Sequence, residues 1–298
     1  MHMNCALAPR WLQIALAIFT FLPGHLRAGA APPDTRLLCA GGNELSVRDT
    51  VTGAKLWRWS GHDAEGLQPA QRRWFDYLDE CKPVDGGKRI LVCASNSGCA
   101  LIEYPSGRIA WMAPVTNAHS LEMLPHERVI VASSLSGDHL LLFDIHSSAQ
   151  PLWKTPLHSA HGVIWDAQRG MLWALGFEEL RRYTLADWDT DHPSLVLKSS
   201  HPLPAQDGHD LRAVPGSDDL LVTAESGVFL FDRNRGEFRK HPMLGEKVQI
   251  KSVDIHPATK RTVFGAWSSR LEFHDPSGEL TLKDTQPYKA RWFTGSQP

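Results

Sequence analysis

Beyond its first thirty residues the sequence has no apolar run long enough to cross a bilayer, no CxxC pair and no basic stripe. Each absence removes a class of protein. A spanning helix needs roughly 20 consecutive apolar residues to cover about 30 Å of hydrocarbon, so no membrane is expected to hold the mature chain. Without CxxC spacing a structural zinc site is not expected, and without clustered Lys and Arg neither is a nucleic acid partner. Walker, GxSxG and HExxH motifs are also missing, which sets aside P-loop NTPases, α/β-hydrolases and zincins.

What is present suits a folded, strand-rich protein. The 298 residues are 42% hydrophobic and 21% charged, with 11 Trp, a balance that fits broad packed sheet faces in one large all-β domain. The opening segment reads differently. Arg10, the apolar run WLQIALAIFTFL (11–22) and Ala28-Gly29-Ala30 together resemble a signal peptide over residues 1–30. Twelve apolar residues are too few for an anchor, so a periplasmic or secreted location is expected. Cleavage would remove Arg10 and Arg27 but no acid, taking the formal net charge from −2 to about −4.

Cys39, Cys81, Cys93 and Cys99 lie beyond that segment. An oxidising compartment allows disulfides. Cys93 and Cys99 flank the turn ASNSG and are placed to face each other across a hairpin, but four cysteines permit three pairings and the sequence does not choose among them.

Internal repetition decides the fold. HSLEML, RVIVASS, HLLLFDI and PLWKTP form a unit of four alternating segments over 119–156, and comparable units cover 80–113, 161–200, 209–242 and 251–284. Four strands in roughly 40 residues describe a β-propeller blade. The segments at 36–60 supply three more strands and YKARWF (288–293) a fourth. The expectation is therefore an all-β, six-bladed propeller whose C-terminal strand completes the N-terminal blade, leaving no open sheet edge. The stretch at 61–79 lacks alternation and reads as an insertion with a short helix, of the kind that often serves function.

Aligning the residues that open each inner strand gives Glu80, His119, His161, His209, Lys251 and Lys289, one from each unit, around one mouth of the axial channel. Three imidazoles, a carboxylate and two ammonium groups admit several chemistries. They suit a small polar ligand, a carbohydrate or sugar acid, because histidine charge responds to small environmental changes near pH 6.5. They also suit a divalent transition metal on His119, His161 and His209, although two lysines add positive charge where the ion would sit. A third use is hydrolase or lyase catalysis, with His119, His161, His209 or Glu80 as acid–base groups and a lysine facing a developing oxyanion. A non-catalytic protein-interaction platform is the competing class. Turns between second and third strands open on the same face and add Asn43, Asn96, Phe177, Glu225 and Trp267, the last with an indole able to stack on a sugar ring. Trp74, Tyr77 and Asp79 come from the insertion, and Lys82 lies just beyond it. The chain is expected to be a monomer.

The run LVCASNSGCALIEYPSGRIAWMAPVTNAHSLEMLP, continued by RVIVASS, resembles a family of exported bacterial six-bladed propellers whose activity is not established. That family is similar in fold to quinoprotein-like and lactonase-like propellers. The resemblance implies export and six blades, and brings no activity or site residue with it.

Overall fold

The computed structural model describes residues 1–2, 35–147 and 149–295; the expected signal segment lies almost wholly outside them. Among the described residues, twenty-four strands form six separate four-stranded antiparallel sheets. Blade I contains β1 (Arg36–Gly41), β2 (Glu44–Asp49) and β3 (Lys55–Trp59). Blade II follows with β4 (Leu78–Val84), β5 (Arg89–Ala94), β6 (Gly98–Glu103) and β7 (Ile109–Pro114). Blade III is β8 (Ala118–Leu124), β9 (Arg128–Ser133), β10 (His139–Asp144) and β11 (Trp153–Pro156). Blade IV is β12 (Gly162–Asp166), β13 (Met171–Leu175), β14 (Glu179–Ala186) and β15 (Ser194–Pro202). Blade V is β16 (Asp210–Ala213), β17 (Asp219–Ala224), β18 (Gly227–Asp232) and β19 (Glu237–Lys240). Blade VI is β20 (Ser252–Ile255), β21 (Thr262–Gly265), β22 (Arg270–His274) and β23 (Gly278–Thr281). Finally β24 (Lys289–Trp292) pairs antiparallel with β1 and becomes the inner strand of blade I.

Strand alternation explains why the central strands are apolar throughout. Successive side chains point to opposite faces of a sheet, and in a propeller each face packs on a neighbouring blade. Leu38 and Ala40 of β1 join the cluster shared with blade II, whereas Leu37 and Cys39 join the one shared with blade VI. Leu91 and Cys93 of β5 likewise turn toward blade III, and Ile90 and Val92 toward blade I. Six such clusters fill the six interfaces between blades. Within the insertion a short helix, α1 (Pro69–Arg72), leads into a single 3-10 turn that buries Phe75 under the cluster between blades I and II.

All four cysteines of the described chain are buried free thiols. Cys93 and Cys99 are direct register partners across the β5–β6 hairpin, as their spacing suggests, without a bond between them. Burial pushes the Cys39 thiol up to about 12 and raises the other three as well. Among the described residues no helix is long and apolar enough to cross a membrane.

Candidate functional site

Six inner strands start at one end of the channel, and hydrogen-bond register shows which residues are equivalent there. The backbone N–H groups of His161, His209, Lys251 and Tyr288 each donate to the carbonyl at the end of the neighbouring second strand, Leu175, Thr223, Gly265 and Ala40, at 2.8–2.9 Å. In blades II and III a β-bulge inserts one residue at this position, Asp79 between Leu78 and Glu80, and His119 between Ala118 and Ser120. Bulges re-aim a side chain at the rim of a sheet. The mouth ring is therefore Asp79, His119, His161, His209, Lys251 and Tyr288.

This corrects the expected ring at two blades. Glu80 and Lys289 belong one residue deeper, level with Ser120, Gly162, Asp210 and Ser252. Lys289 matches Lys251 in residue type, but Tyr288 makes the equivalent hydrogen bond. A sequence signal for the true register exists in the fully packed small or apolar residue two positions on: Cys81, Leu121, Val163, Leu211, Val253 and Ala290, none more than 1% exposed.

Within the ring the imidazoles touch. His119 and His161 lie 4.3 Å apart between centroids, and His161 and His209 5.3 Å. Tyr288 closes the far side, 5.9 Å from His119 and 5.6 Å from Trp267, edge-on in both cases. His119 Nδ1 donates to the Asn117 carbonyl at 3.1 Å and His161 Nδ1 to the Ser159 carbonyl at 2.9 Å. A carbonyl only accepts, so Nδ1 carries the proton and Nε2 keeps the lone pair in both rings. Among the described residues neither Nε2 has a hydrogen-bond partner within the protein. His209 differs. Its Nε2 faces Lys251 Nζ and stands 2.9 Å from Asp207 Oδ2, while its buried Nδ1 has no partner.

Burial favours the neutral form of His161 and His209. Burial, then the neighbouring His119, lowers His161 well below the ordinary histidine value. Burial, followed by Lys251 and Lys289, takes His209 down to about 3. Burial raises the Asp79 carboxyl against the pull of His119 and of the Ser95 hydroxyl that bonds it. Asp207 is raised in the same way, and Lys251 is lowered by burial although Asp207 and Glu225 oppose it.

One layer down, charge is fully paired. Arg291 is inaccessible, and its five donors go to Glu80 Oε1 and Oε2 at 3.0 Å, Asp210 Oδ2 and Oδ1 at 2.8 and 2.7 Å, and the Val253 carbonyl at 3.1 Å. Because Glu80 is in blade II and Asp210 in blade V, this guanidinium from blade I crosses the axis. Lys289 Nζ donates to the carbonyls of His209 (2.7 Å) and Lys251 (2.6 Å) and to Asp210 (3.2 Å). Burial works against charge on Asp210, but Arg291 and Lys289 overcome it and hold that carboxyl well below the usual range. Gly162 stands at this level because a Cβ there would lie 2.7 Å from Leu211 Cβ.

The remaining candidates scatter. Lys82 is buried below the mouth, bonded to Glu122 at 3.0 Å and to the Val163 carbonyl at 2.5 Å, so it is not free for a ligand. Trp74 packs on the core between blades I and II. Asn96 is exposed and its side-chain amide donates to the Arg73 carbonyl at 3.0 Å, tying the insertion down. Trp267 does reach the rim, 55% exposed, beside a cleft of about 370 Å³ bounded by Asn43, Glu44, Tyr77, Asp284 and Gln286. Tyr288 has no signal in the sequence, because an aromatic at the end of a loop carries no polar pattern.

The metal expectation needed three imidazole lone pairs converging on one point. His209 spends Nε2 on Lys251 and Asp207, and among the described residues no three His, Cys, Asp or Glu side chains are grouped to hold an ion. A comparison with curated proteins finds no match. The chain does match, over residues 37–295 and so from the first strand through the closing one, a family of unknown function (DUF6528), and it belongs to that family.

Proposed function

We propose that the propeller mouth binds a small polar ligand, a carbohydrate or sugar acid, across His119, His161 and Lys251, with Trp267 and its cleft holding the rest of the molecule. One observation carries the reading: the mouth leaves hydrogen-bonding capacity unspent where the layer beneath spends all of it. Two Nε2 acceptors, a partly exposed ammonium and an exposed indole offer the mixture of acceptors, donors and stacking face that a hydroxyl-rich, anionic molecule uses. Calorimetric titration with gluconate and glucuronate tests it. Binding lost in His119→Ala and weakened in Trp267→Ala is the expected result; binding unchanged in both variants overturns it. Hydrolase or lyase turnover through His119 and His161 belongs to the same proposal and would appear as products from a panel of lactones and uronides.

A specific observation also favours an interaction platform. Tyr77, Leu135, Met243, Val248 and Trp267, from 48% to 64% exposed, all lie on loops of the mouth face. A partner on that rim would tolerate His119→Ala and lose affinity on Leu135→Ser. Export is part of the proposal too and rests on Arg10, the apolar run at 11–22 and Ala28-Gly29-Ala30. A mature N-terminus at Ala31 in a periplasmic or secreted fraction is the expected result.

A further inference from the structure

Binding a ligand at Lys251 does not by itself require that its amine be joined to Asp207 and His209. Lys251 Nζ is in hydrogen-bond contact with His209 Nε2, and Asp207 Oδ2 is 2.9 Å from the same nitrogen. A single ring nitrogen serves the amine and the carboxyl in alternative ways. With Nε2 protonated it donates to Asp207, and Lys251 then presents a lone pair. With Nε2 bare it accepts a proton from Lys251, and Asp207 receives nothing from the ring. The amine proton is thus shared within the unit rather than fixed on lysine.

Surroundings act in the same direction. Burial disfavours the charged form of Lys251, against Asp207 and Glu225. Lys289, fully buried, lies close enough to help depress His209 and takes up the backbone carbonyl of Lys251 at 2.6 Å. Asp210 is engaged by Arg291 and Lys289 and so gives Lys251 no counter-charge. Lys251 is also the lysine at the axis that remains partly exposed, since Lys82 and Lys289 are buried and bonded. Desolvated lysines beside a second cation are the ones that serve as nucleophiles toward carbonyls.

We propose that Lys251 acts as a nucleophilic amine and condenses with the carbonyl of a small polyhydroxylated aldehyde or ketone bound at the mouth; this deepens the ligand-binding reading and rests on it. The Nζ lone pair forms the C–N bond while the carbonyl π pair moves to oxygen. A proton passes from nitrogen to that oxygen and gives a carbinolamine. Asp207, in its acid form, protonates the hydroxyl, the C–O bond breaks and water leaves. Loss of the remaining N–H proton to Asp207 yields the neutral imine, so the balance is amine plus carbonyl to imine plus water.

Reductive trapping tests this on the intact protein. The chain is incubated with glyceraldehyde and cyanoborohydride near pH 7, digested, and each lysine quantified by mass spectrometry. Lys251 is expected to label several-fold faster than the exposed Lys198, and Asp207→Asn is expected to slow Lys251 without changing Lys198. Labelling of Lys251 no faster than Lys198 overturns the proposal. Gluconate, which has no carbonyl, separates the two ideas. Gluconate binding by calorimetry with an unreactive Lys251 overturns only the amine chemistry, whereas rapid labelling without gluconate binding upholds it and overturns the sugar-acid reading.

Discussion

The mouth ring and the layer immediately below it are built from the same kinds of side chain, yet they differ in how completely those side chains are bonded. Below, Arg291 uses all five donors and Lys289 finds three acceptors. Above, His119 and His161 leave Nε2 unengaged, His209 leaves Nδ1 unpaired, and Lys251 shares one nitrogen with a carboxyl. A buried charge persists only when it is paired and hydrogen-bonded. The lower layer meets that requirement and has the character of a structural plug. The ring does not, and incomplete satisfaction next to solvent is where a ligand gains most from binding.

Removing the plug's centre breaks this comparison most sharply. Arg291→Met strips the partner from Glu80 and Asp210, which stay buried across the axis. Loss of one member of a buried charge network typically costs about 3–5 kcal/mol. The urea midpoint should fall accordingly, with an added effect on ring closure, because Arg291 sits in β24, the strand that joins the chain's two ends. A cost below about 1 kcal/mol, the range of an exposed pair, would mean that the plug is not structural and that the contrast is false.

The pH dependence of stability separates the layers next. His209, at about 3, and His161, lowered in the same direction, are harder to protonate folded than unfolded. Between an unfolded value near 6.5 and that depressed value the unfolded chain binds more protons, so stability rises with pH across the window. Their contribution is fully present above about pH 6.5 and drains away as pH falls toward 3. Denaturation at pH 7 and pH 4.5 should therefore show a larger loss for wild type than for His209→Asn. Equal losses would show that the His209 imidazole is not held neutral by the fold.

The repeat was legible because each blade buries both faces of its central strands, which leaves a dense apolar rhythm with turns between. Leu37 to Ala40, Ile90 to Ala94 and Val129 to Ala132 are such runs, and with the turns between them they mark four-stranded units. The ring was legible only in part. His119, His161, His209 and Lys251 open their strands in register, but the bulges at Asp79 and His119 add a residue that no composition rule announces. Matching Lys289 to Lys251 followed residue type, and a lysine deep in a channel looks in sequence like one at its mouth. Which layer a polar residue joins depends on hydrogen-bond register and on partners from distant blades, as Glu80 shows by meeting Arg291, 211 positions away.

The smallest effect expected sharpens the comparison from the other side. Trp267 is exposed and touches Tyr288 edge-on, and His119 is only partly buried. Trp267→Ala should shift stability by no more than about 0.5 kcal/mol, the range for surface positions outside a packed core. His119→Ala should cost more than that, since it empties space against His161, yet less than Arg291→Met. If the ring is a binding surface laid over an independent plug, gluconate affinity should not follow stability: His119→Ala should lose most and Trp267→Ala next, whereas Glu80→Gln, which weakens the bonds to Arg291, should cost more stability than either and leave affinity nearly unchanged. Thermal melts and calorimetry on the same three variants read both orders at once. Affinity losses that track stability across all three would make the mouth an extension of the core, and an affinity loss confined to the two ring variants would make it a site.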